Sequence, residues 1–252
     1  MEKTLEELNP TGRFSDRVDN YAKYRPSYPT EAITYISKIT KLPTGGTVAD
    51  IGSGTGIFSA LLLQKDYRVF CVEPNEAMRT VAEKNLSIYP NFSSIDGTAE
   101  CTTLNPHSVD IVTVAQAFHW VDISAKEEFS RILKPAGLIV LLWNIRLRTT
   151  PFLEAFEDLK VEFGTDYKAV NMLKEQDIRA FFYPKPVTTK EFFHAQNLDY
   201  EGLRGQLLSS SYVPIDGEKS EQMIAKLKGL FDEHQIAGQV TIEYATKVYI
   251  NK

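Results

Sequence analysis

A glycine-rich segment is the part of the sequence best suited to bind a charged ligand. Glycines let the backbone turn tightly and let a ligand approach without clashes from Cβ atoms. The helix predicted after them offers free amide groups and a partial positive charge, which suit a carboxylate or a phosphate. A plain tight turn between a strand and a helix is the alternative interpretation. The segment comprises Asp50, Ile51, Gly52, Ser53, Gly54, Thr55 and Gly56.

The glycine spacing bears on which nucleotide could bind there. In the dinucleotide pattern G-x-G-x-x-G, counting from Gly52 places the third glycine at position 57, which is Ile57. An NAD-dependent oxidoreductase is therefore the weaker hypothesis. Glu73 ends a second predicted strand about 20 residues later, where a carboxylate can accept both ribose hydroxyls of an adenosine-type cofactor. Simple capping of the strand is the competing interpretation of this residue.

Two further segments carry side chains that could act on a substrate. Residues 116–120 follow another predicted strand, and His119 within them is of the type most often used as a general base. Arg146 and Arg148 follow the next strand and could bind a substrate carboxylate through a bidentate pair. A histidine that only lines a pocket, and arginines in a solvated loop, are the alternatives.

Alternating strands and helices would bring these segments together. Short β-prone runs at 47–51, 69–72, 91–95, 109–115 and 138–143 are separated by stretches of helical spacing or by turns. This order predicts βαβ units with a parallel sheet, and right-handed crossovers then give a doubly wound α/β fold. Such sheets bind ligands at the carboxyl ends of their strands.

Beyond Arg146 the pattern changes. Helical spacing over 152–163 predicts a helix, and residues 151–185 are expected to form a helical insertion over the carboxyl edge of the sheet. The runs 188–195 and 240–250 both predict strands. The second of them alternates over most of its length, as an antiparallel strand packed on one face does.

Composition narrows the class of protein. The 252 residues include 28 Lys and Arg against 33 Asp and Glu, a net charge of −5, which gives no electrostatic reason to bind nucleic acid or an anionic membrane. Cys71 and Cys101 cannot by themselves form a disulfide framework or a zinc site. No signal peptide is visible, and no apolar run approaches the roughly 20 residues of a membrane span. We therefore expect a cytoplasmic protein with no metal site and no membrane or nucleic-acid partner.

Four motifs in register resemble those of the class I S-adenosylmethionine-dependent methyltransferases that act on small molecules. The first is the glycine segment together with Glu73. Residues 95–100, Ile-Asp-Gly-Thr-Ala-Glu, are similar to the loop that packs around the adenine in that family, and residues 108–114 resemble its fourth strand. Residues 133–138, Leu-Lys-Pro-Ala-Gly-Leu, resemble the L-K-P-G-G turn of the family, with Ala136 in place of the first glycine.

This resemblance implies that S-adenosyl-L-methionine is the cofactor and S-adenosyl-L-homocysteine the product. It places the methionine end of the cofactor against Asp50 and the backbone of residues 52–56, and the ribose hydroxyls on Glu73. Met78 would flank the adenine, although its helical spacing is equally typical of a core residue. The full set of implied adenine contacts is Pro74, Asn75, Met78, Gly97, Thr98, Ala99 and Glu100.

Two segments are expected to border the transferred methyl group. One comprises Gln116, Ala117, Phe118, His119 and Trp120. The other, residues 14–29, resembles the N-terminal lid of methyltransferases related to the trans-aconitate methyltransferases, within the type 11 group. There Tyr21 and Arg25 would touch the cofactor and close the site, while a basic aromatic nucleic-acid patch is the alternative. The substrate contacts predicted at this place are Trp120, Trp143 and Arg146.

The predicted function is methyl transfer to a small molecule, at a carboxylate or hydroxyl oxygen, by in-line displacement. The protein would mainly align the reactants and exclude water. His119 is the candidate catalytic residue, because a hydroxyl nucleophile would benefit from a base whereas a carboxylate would need none. The alternatives are C-methylation of a quinone or lipid-like acceptor, and a non-catalytic module that binds S-adenosylmethionine.

The predicted organisation is a single methyltransferase domain over residues 1–252. Its fold class is α/β, with a Rossmann-like, mostly parallel seven-stranded sheet whose last strand is antiparallel. Within it we expect an N-terminal lid at 1–43, a cofactor-binding core at 44–145, the helical insertion at 151–185 and completion of the sheet at 186–252. The sequence leaves the acceptor and the oligomeric state open.

Overall fold

A computed structural model describes residues 15–165, 167 and 175–251. Parts of the predicted lid (1–14) and of the predicted insertion (166 and 168–174) lie outside the described residues, as does position 252. The helices are α1 (Val18–Tyr24), α2 (Thr30–Thr40), α3 (Ile57–Leu63), α4 (Glu76–Leu86), α5 (Ala125–Ile132), α6 (Pro151–Phe163), α7 (Glu175–Phe182), α8 (Tyr200–Leu208) and α9 (Gly217–His234). The strands are β1 (Thr47–Ile51), β2 (Arg68–Val72), β3 (Phe92–Ile95), β4 (Val109–Ala115), β5 (Leu133–Arg146), β6 (Val187–Leu198) and β7 (Val240–Asn251). Within these ranges no helix is both long and apolar enough to cross a membrane.

The strands form one seven-stranded sheet in the order β3-β2-β1-β4-β5-β7-β6. Strands β1 to β5 pair in parallel, and β7 runs antiparallel to both of its neighbours. The predicted doubly wound, mostly parallel sheet with an antiparallel last strand is therefore confirmed. The strand order reverses between β1 and β4, and such sheets bind ligands at the carboxyl edge beside that reversal.

Strand β5 begins earlier than the sequence predicts. Leu133 pairs with Val109, and the pairing then jumps to Ile111 with Leu138, so that residues 134–137 form a bulge. Lys134 on the bulge donates from Nζ to Oδ1 of Asp110 at 2.8 Å. The Pro-Gly turn expected before the strand is thus part of it, because a bulge absorbs extra residues while the chain stays paired on both sides.

Apolar side chains cover both faces of the sheet. Val112 and Leu141 belong to a cluster with Phe129 of α5, whereas Val140 belongs to the opposite cluster with Leu62 of α3. The two sets alternate along β4 and β5 because successive side chains of a strand point to opposite faces. Burial on both faces holds the carboxyl ends of these strands in fixed positions.

A third apolar cluster lies beyond the carboxyl edge. Arg146, the last residue of β5, pairs with Tyr244, so the first residues of β7 project past the end of its antiparallel neighbour β5. Helices α6, α8 and α9 pack against this projecting part through residues such as Phe156, Leu207 and Leu227. These helices therefore form a cover over one side of the carboxyl edge.

Helix α1 sits against the end of α8. Arg17 donates from Nη1 to the carbonyl oxygen of Ser210 at 2.5 Å, and Arg25 donates from Nη2 to the carbonyl oxygen of Ser209 at 2.9 Å. The ring of Tyr24 lies so close to Gly205 that a Cβ atom there would overlap it. The position of α1 against α8 therefore depends on Gly205.

We expect Gly205→Ala to destabilise the protein despite the higher helix propensity of alanine. The new methyl group would displace Tyr24, and forced overpacking of this kind costs about 1–3 kcal/mol. Gly229→Ala on α9 is the matched control, because nothing lies within 4 Å of its Cβ position. That substitution should stabilise the protein by roughly 0.5–1 kcal/mol. Urea unfolding of both variants measures the difference, and equal shifts would contradict the packing of Tyr24 on Gly205.

Candidate functional site

The glycine segment turns the chain from β1 into α3 with left-handed backbone angles. Gly52 has φ of 64° and Gly54 has φ of 57°, a region that residues with a Cβ atom rarely adopt. A Cβ atom on Gly52 would lie 2.6 Å from Cβ of Ala117. The amide of Gly52 donates to the carbonyl oxygen of Val72 at 2.8 Å, which fixes the turn against β2.

Glu73 joins this turn to the start of α4. Its Oε2 accepts from the amide of Gly54 at 2.9 Å, and its Oε1 accepts from the amide of Asn75 at 2.9 Å. The side chain is buried, and that burial raises its pKa. A carboxylate has about four lone-pair positions, so two remain for a ligand after both amides are bound.

A second buried carboxylate lies beneath the turn. Asp50 accepts from Oγ of Ser59 at 2.5 Å and from Oγ1 of Thr113 at 2.8 Å, and Cys71 donates from Sγ to Oγ of Ser59 at 3.0 Å. Burial raises the pKa of Asp50 from 3.8 to about 6, although both hydroxyl bonds act in the opposite direction. The network holds a group that is sensitive to pH directly under the glycine turn.

Gln116 separates the ends of β4 and β5. Its φ of 59° places a non-glycine residue in the left-handed region, where strain is often associated with function. Its amide donates to the carbonyl oxygen of Leu142 at 2.9 Å, and its side-chain Oε1 accepts from the amide of Asn144 at 2.8 Å. The side chain of Gln116 thus accepts the hydrogen bond that a main-chain carbonyl of β4 would otherwise accept from β5. The main chain after β4 can therefore turn away from β5.

His119 lies among aromatic rings just after this turn. Its ring centroid is 4.2 Å from that of Trp120 and 5.1 Å from that of Trp143, the latter in edge-to-face geometry. Trp143 is buried near the end of β5. This packing gives the segment after β4 an aromatic wall.

Two cavities adjoin at the carboxyl edge. The larger has a volume of about 360 Å³ and the smaller about 210 Å³. Six residues line both, so the cavities meet along a common wall. These residues are Tyr21, Arg25, Gly52, Ala115, Gln116 and Trp143.

Most of the sequence-predicted site residues line one or both of these cavities. The smaller cavity also includes Gly54, Glu73, Pro74, Met78, Thr98, Ala99, Glu100, Ala117, His119 and Trp120. The larger cavity also includes Asp50, Ser53, Thr55 and Arg146. Trp120, predicted as a substrate contact, therefore lies with residues predicted to contact the adenine. Met78 is buried and still contributes to the wall of the smaller cavity.

Four predicted residues lie behind the cavity walls. Gly56 begins α3 with φ of 82° and faces Leu86, and Asn75 caps α4 by accepting from the amide of Met78 at 2.9 Å. Gly97 packs close to the main chain of the residue pair 101–102. Phe118 is buried against the ring of Phe181 on α7, with centroids 5.1 Å apart. Each of the four supports the wall through the backbone or the core.

The sequence did not reveal the polar floor of the larger cavity. Glu157 and Lys160 of α6 line it, as do Gln206 and Tyr244, which share a hydrogen bond of 2.7 Å. One signal was present, because Lys160 follows Phe156 by four residues and so lies on the predicted apolar face of its helix. A lysine on such a face, here 1% exposed, is unusual without a partner.

Comparison with known proteins finds similarity to methyltransferases. Residues 49–141 match the family model described as a methyltransferase domain. An uncharacterized methyltransferase of Mycobacterium tuberculosis is 40% identical over 135 residues, which are 53% of this chain and 52% of that protein. An uncharacterized methyltransferase-like protein of Schizosaccharomyces pombe is 32% identical over 155 residues, 61% of this chain and 59% of that protein. The chain thus spans about half the length of the curated relatives it matches.

Solved structures share the fold over nearly the whole chain. One, proposed to be a type II methyltransferase from Anaeromyxobacter dehalogenans, has a TM-score of 0.70 at 20% identity and covers 91% of this chain and 98% of that one. A SAM-dependent methyltransferase from Aquifex aeolicus has a TM-score of 0.52 at 15% identity and covers 98% of this chain and 96% of that one. At this level of identity the similarity concerns the fold.

Asp50 makes stability depend on pH in a defined direction. Because its pKa is about 6 in the folded protein against 3.8 for a free side chain, the folded chain retains this proton more strongly. The resulting stabilisation is complete below about pH 4 and is lost as the pH rises through about 6. Between about pH 4 and 7 we expect wild type to lose up to about 3 kcal/mol relative to Asp50→Asn, which does not ionise.

Urea unfolding of both proteins across this pH range measures that loss. Asp96→Asn is the matched control, since the Asp96 side chain is 75% exposed and pairs with Arg79 at the surface. A difference between wild type and Asp50→Asn that stays constant with pH would contradict the assignment.

Proposed function

We propose that residues 49–141, which match the model of a methyltransferase domain, form the core of a class I S-adenosylmethionine-dependent methyltransferase, and that the chain methylates a small molecule. The acceptor atom in this proposal is a carboxylate or hydroxyl oxygen. The observation that supports binding of the cofactor is Glu73 at the smaller cavity. Its buried carboxylate accepts hydrogen bonds from the amides of Gly54 and Asn75. The proposal divides the two cavities between cofactor and acceptor.

The smaller cavity fits the adenosine part of the cofactor. Glu73 has lone pairs left for two ribose hydroxyls, and Met78, Ala99 and Trp120 supply apolar surface on which an adenine ring can pack. Thr98 and Glu100 add polar groups at the rim. The combination of a buried carboxylate with apolar walls suits an adenosine.

The methionine part fits the glycine turn. Oγ1 of Thr55 is buried at the larger cavity and has no hydrogen-bond partner among the described residues. A buried hydroxyl is costly without a partner, so this one is suited to bind a ligand carboxylate. The positive end of α3 and the side chain of Arg25 favour the same charge.

The common wall of the two cavities is where we infer that the reacting groups meet. The cofactor supplies an electrophilic methyl group on a sulfonium, so the protein needs mainly to align the acceptor and exclude water. Tyr21 and Trp143 line this wall, and Tyr21 also holds the guanidinium of Arg25 at 4.8 Å from its ring. Helix α1 then closes the site through the bonds of its arginines to the end of α8.

An oxygen acceptor agrees better with the larger cavity than a quinone or lipid-like acceptor does. Its floor includes Arg146, Glu157, Lys160 and Gln206. Burying an apolar acceptor against such groups would remove their solvation without replacing it. The polarity of the floor therefore supports O-methylation over C-methylation of an apolar compound.

Replacing Glu73 with alanine should weaken cofactor binding. Each hydrogen bond to a charged group contributes about 1.5–3 kcal/mol, so loss of two ribose bonds should reduce affinity by a hundredfold or more. Titration calorimetry with S-adenosylmethionine, S-adenosylhomocysteine and NAD measures this on wild type and Glu73→Ala. Glu83→Ala is the matched control, because Glu83 is exposed on α4.

Binding of the two sulfur compounds, weakened only in Glu73→Ala, would support the proposed cofactor. Binding of NAD alone, or of none of the three, would overturn it. Conversion of S-adenosylmethionine to S-adenosylhomocysteine in the presence of a metabolite extract then separates an enzyme from a module that only binds the cofactor.

We propose that His119 acts as part of the aromatic wall, while a base remains the alternative role. His119→Phe should then keep turnover within about tenfold, because the ring still fills the space beside Trp120 and Trp143. A true base contributes about 10²–10⁴-fold. Turnover against pH distinguishes the two, since loss of about a hundredfold in His119→Phe together with loss of an acidic limb would establish the base.

A further inference from the structure

A buried lysine and a half-buried arginine share a single carboxylate at the larger cavity. Glu157 Oε2 accepts from Arg146 Nη1 at 3.3 Å and from Nζ of Lys160 one helical turn away. Lys160 is 1% exposed, and the side chain of Arg146 is 18% exposed. Removing charges from water is expensive unless each is paired, so this uneven set requires an explanation.

The guanidinium of Arg146 stays charged in this cluster. Tyr212 and Tyr244 lie close to Arg146 and raise its pKa together with Glu157, against the effect of burial, so the guanidinium stays charged. On the same cavity, Glu191 and Glu175 pair with Lys247, at 3.1 Å and 3.8 Å. Within the cluster itself two cations face one carboxylate, so one positive charge is in excess at Arg146 and Lys160.

Arg146 also has a hydrogen-bond donor that is not used by any described residue. Its Nε is buried and has no hydrogen-bond partner among the described residues. Cζ of Arg146 lies over the ring of Phe156, 5.9 Å from the ring centroid. A buried guanidinium N–H group without a partner is suited to donate to a carboxylate oxygen, and such charge-assisted bonds are strong.

The cluster lies away from the common wall of the cavities. Arg146 and Lys160 line only the larger cavity, whereas Trp143 lines both. Arg146 lies three positions beyond Trp143 along the strand, which corresponds to roughly 10 Å. A group bound by Arg146 is therefore distant from the place where we infer that methyl transfer occurs.

We propose that Arg146 and Lys160 form a subsite for a carboxylate at the end of the acceptor remote from the methylated oxygen, and that Glu157 limits its strength. This inference rests on the proposed function, because it defines which acceptors that function uses. A single negative charge balances the cluster, so a singly charged carboxylate is preferred over a dianionic phosphate. The acceptor then carries two functional groups, one that anchors and one that reacts.

A purely structural role is the competing explanation. Arg146, Glu157 and Lys160 would then only join α6 to the end of β5. Such a role predicts lower thermal stability in variants but no preference for anionic ligands. Binding of matched charged and neutral compounds therefore distinguishes the two roles.

The experiment measures binding of hexanoate and its neutral isostere hexanamide to the protein saturated with S-adenosylhomocysteine, with hexyl phosphate as a further arm. We expect hexanoate to bind wild type at least tenfold more tightly than hexanamide and more tightly than hexyl phosphate. Arg146→Gln should abolish this preference, and Glu157→Gln should strengthen hexanoate binding threefold or more. Arg148→Gln is the matched control, because Arg148 is 52% exposed and pairs with Asp158 at the surface.

Equal binding of hexanoate and hexanamide to wild type would overturn the subsite, as would a preference that survives in Arg146→Gln. Tighter binding of hexyl phosphate would overturn the choice of a carboxylate. Arg146→Lys provides a second test if Glu157→Gln does not fold, since it keeps the charge but loses the fork and should retain only part of the preference. Failure to bind S-adenosylhomocysteine would count against the proposed function alone, and the hexanoate preference can then be measured on the free protein.

Discussion

The carboxylate of Glu73 is the interaction on which the site depends most. It accepts amides from two separate turns, one after β1 and one before α4. A buried carboxylate that lost these donors would be left with an uncompensated charge, a cost of several kcal/mol. Glu73 therefore fixes the positions of the two turns relative to each other. Because both turns border the smaller cavity, this also fixes the shape of that cavity.

The sheet and the smaller cavity could be predicted because their determinants are local. Glycines at 52 and 54 are required by left-handed backbone angles, and continuous apolar strands are required by burial on both faces. Parallel strands must end at one edge, so residues following five different strands converge without any long-range information. Spacing along the chain is sufficient for that part of the site.

The larger cavity could not be predicted in the same way. Its floor joins α6, α8 and β7, whose mutual packing depends on side chains far apart in the sequence. The bulge of β5 and the left-handed Gln116 also depend on tertiary pairing, because neither residue type is required there by local propensity. Phe118 shows the same limit, since only the position of α7 decides that it faces the core.

The common wall between the cavities has a consequence for ligand design. A molecule that fills both cavities loses translational and rotational entropy only once on binding. Each half also raises the effective concentration of the other half at its cavity. Six residues border both spaces, so the two halves of such a molecule would be joined at the wall that includes Gly52 and Gln116. The most selective ligands of this protein should therefore be bivalent, with a linker whose length matches the width of that wall.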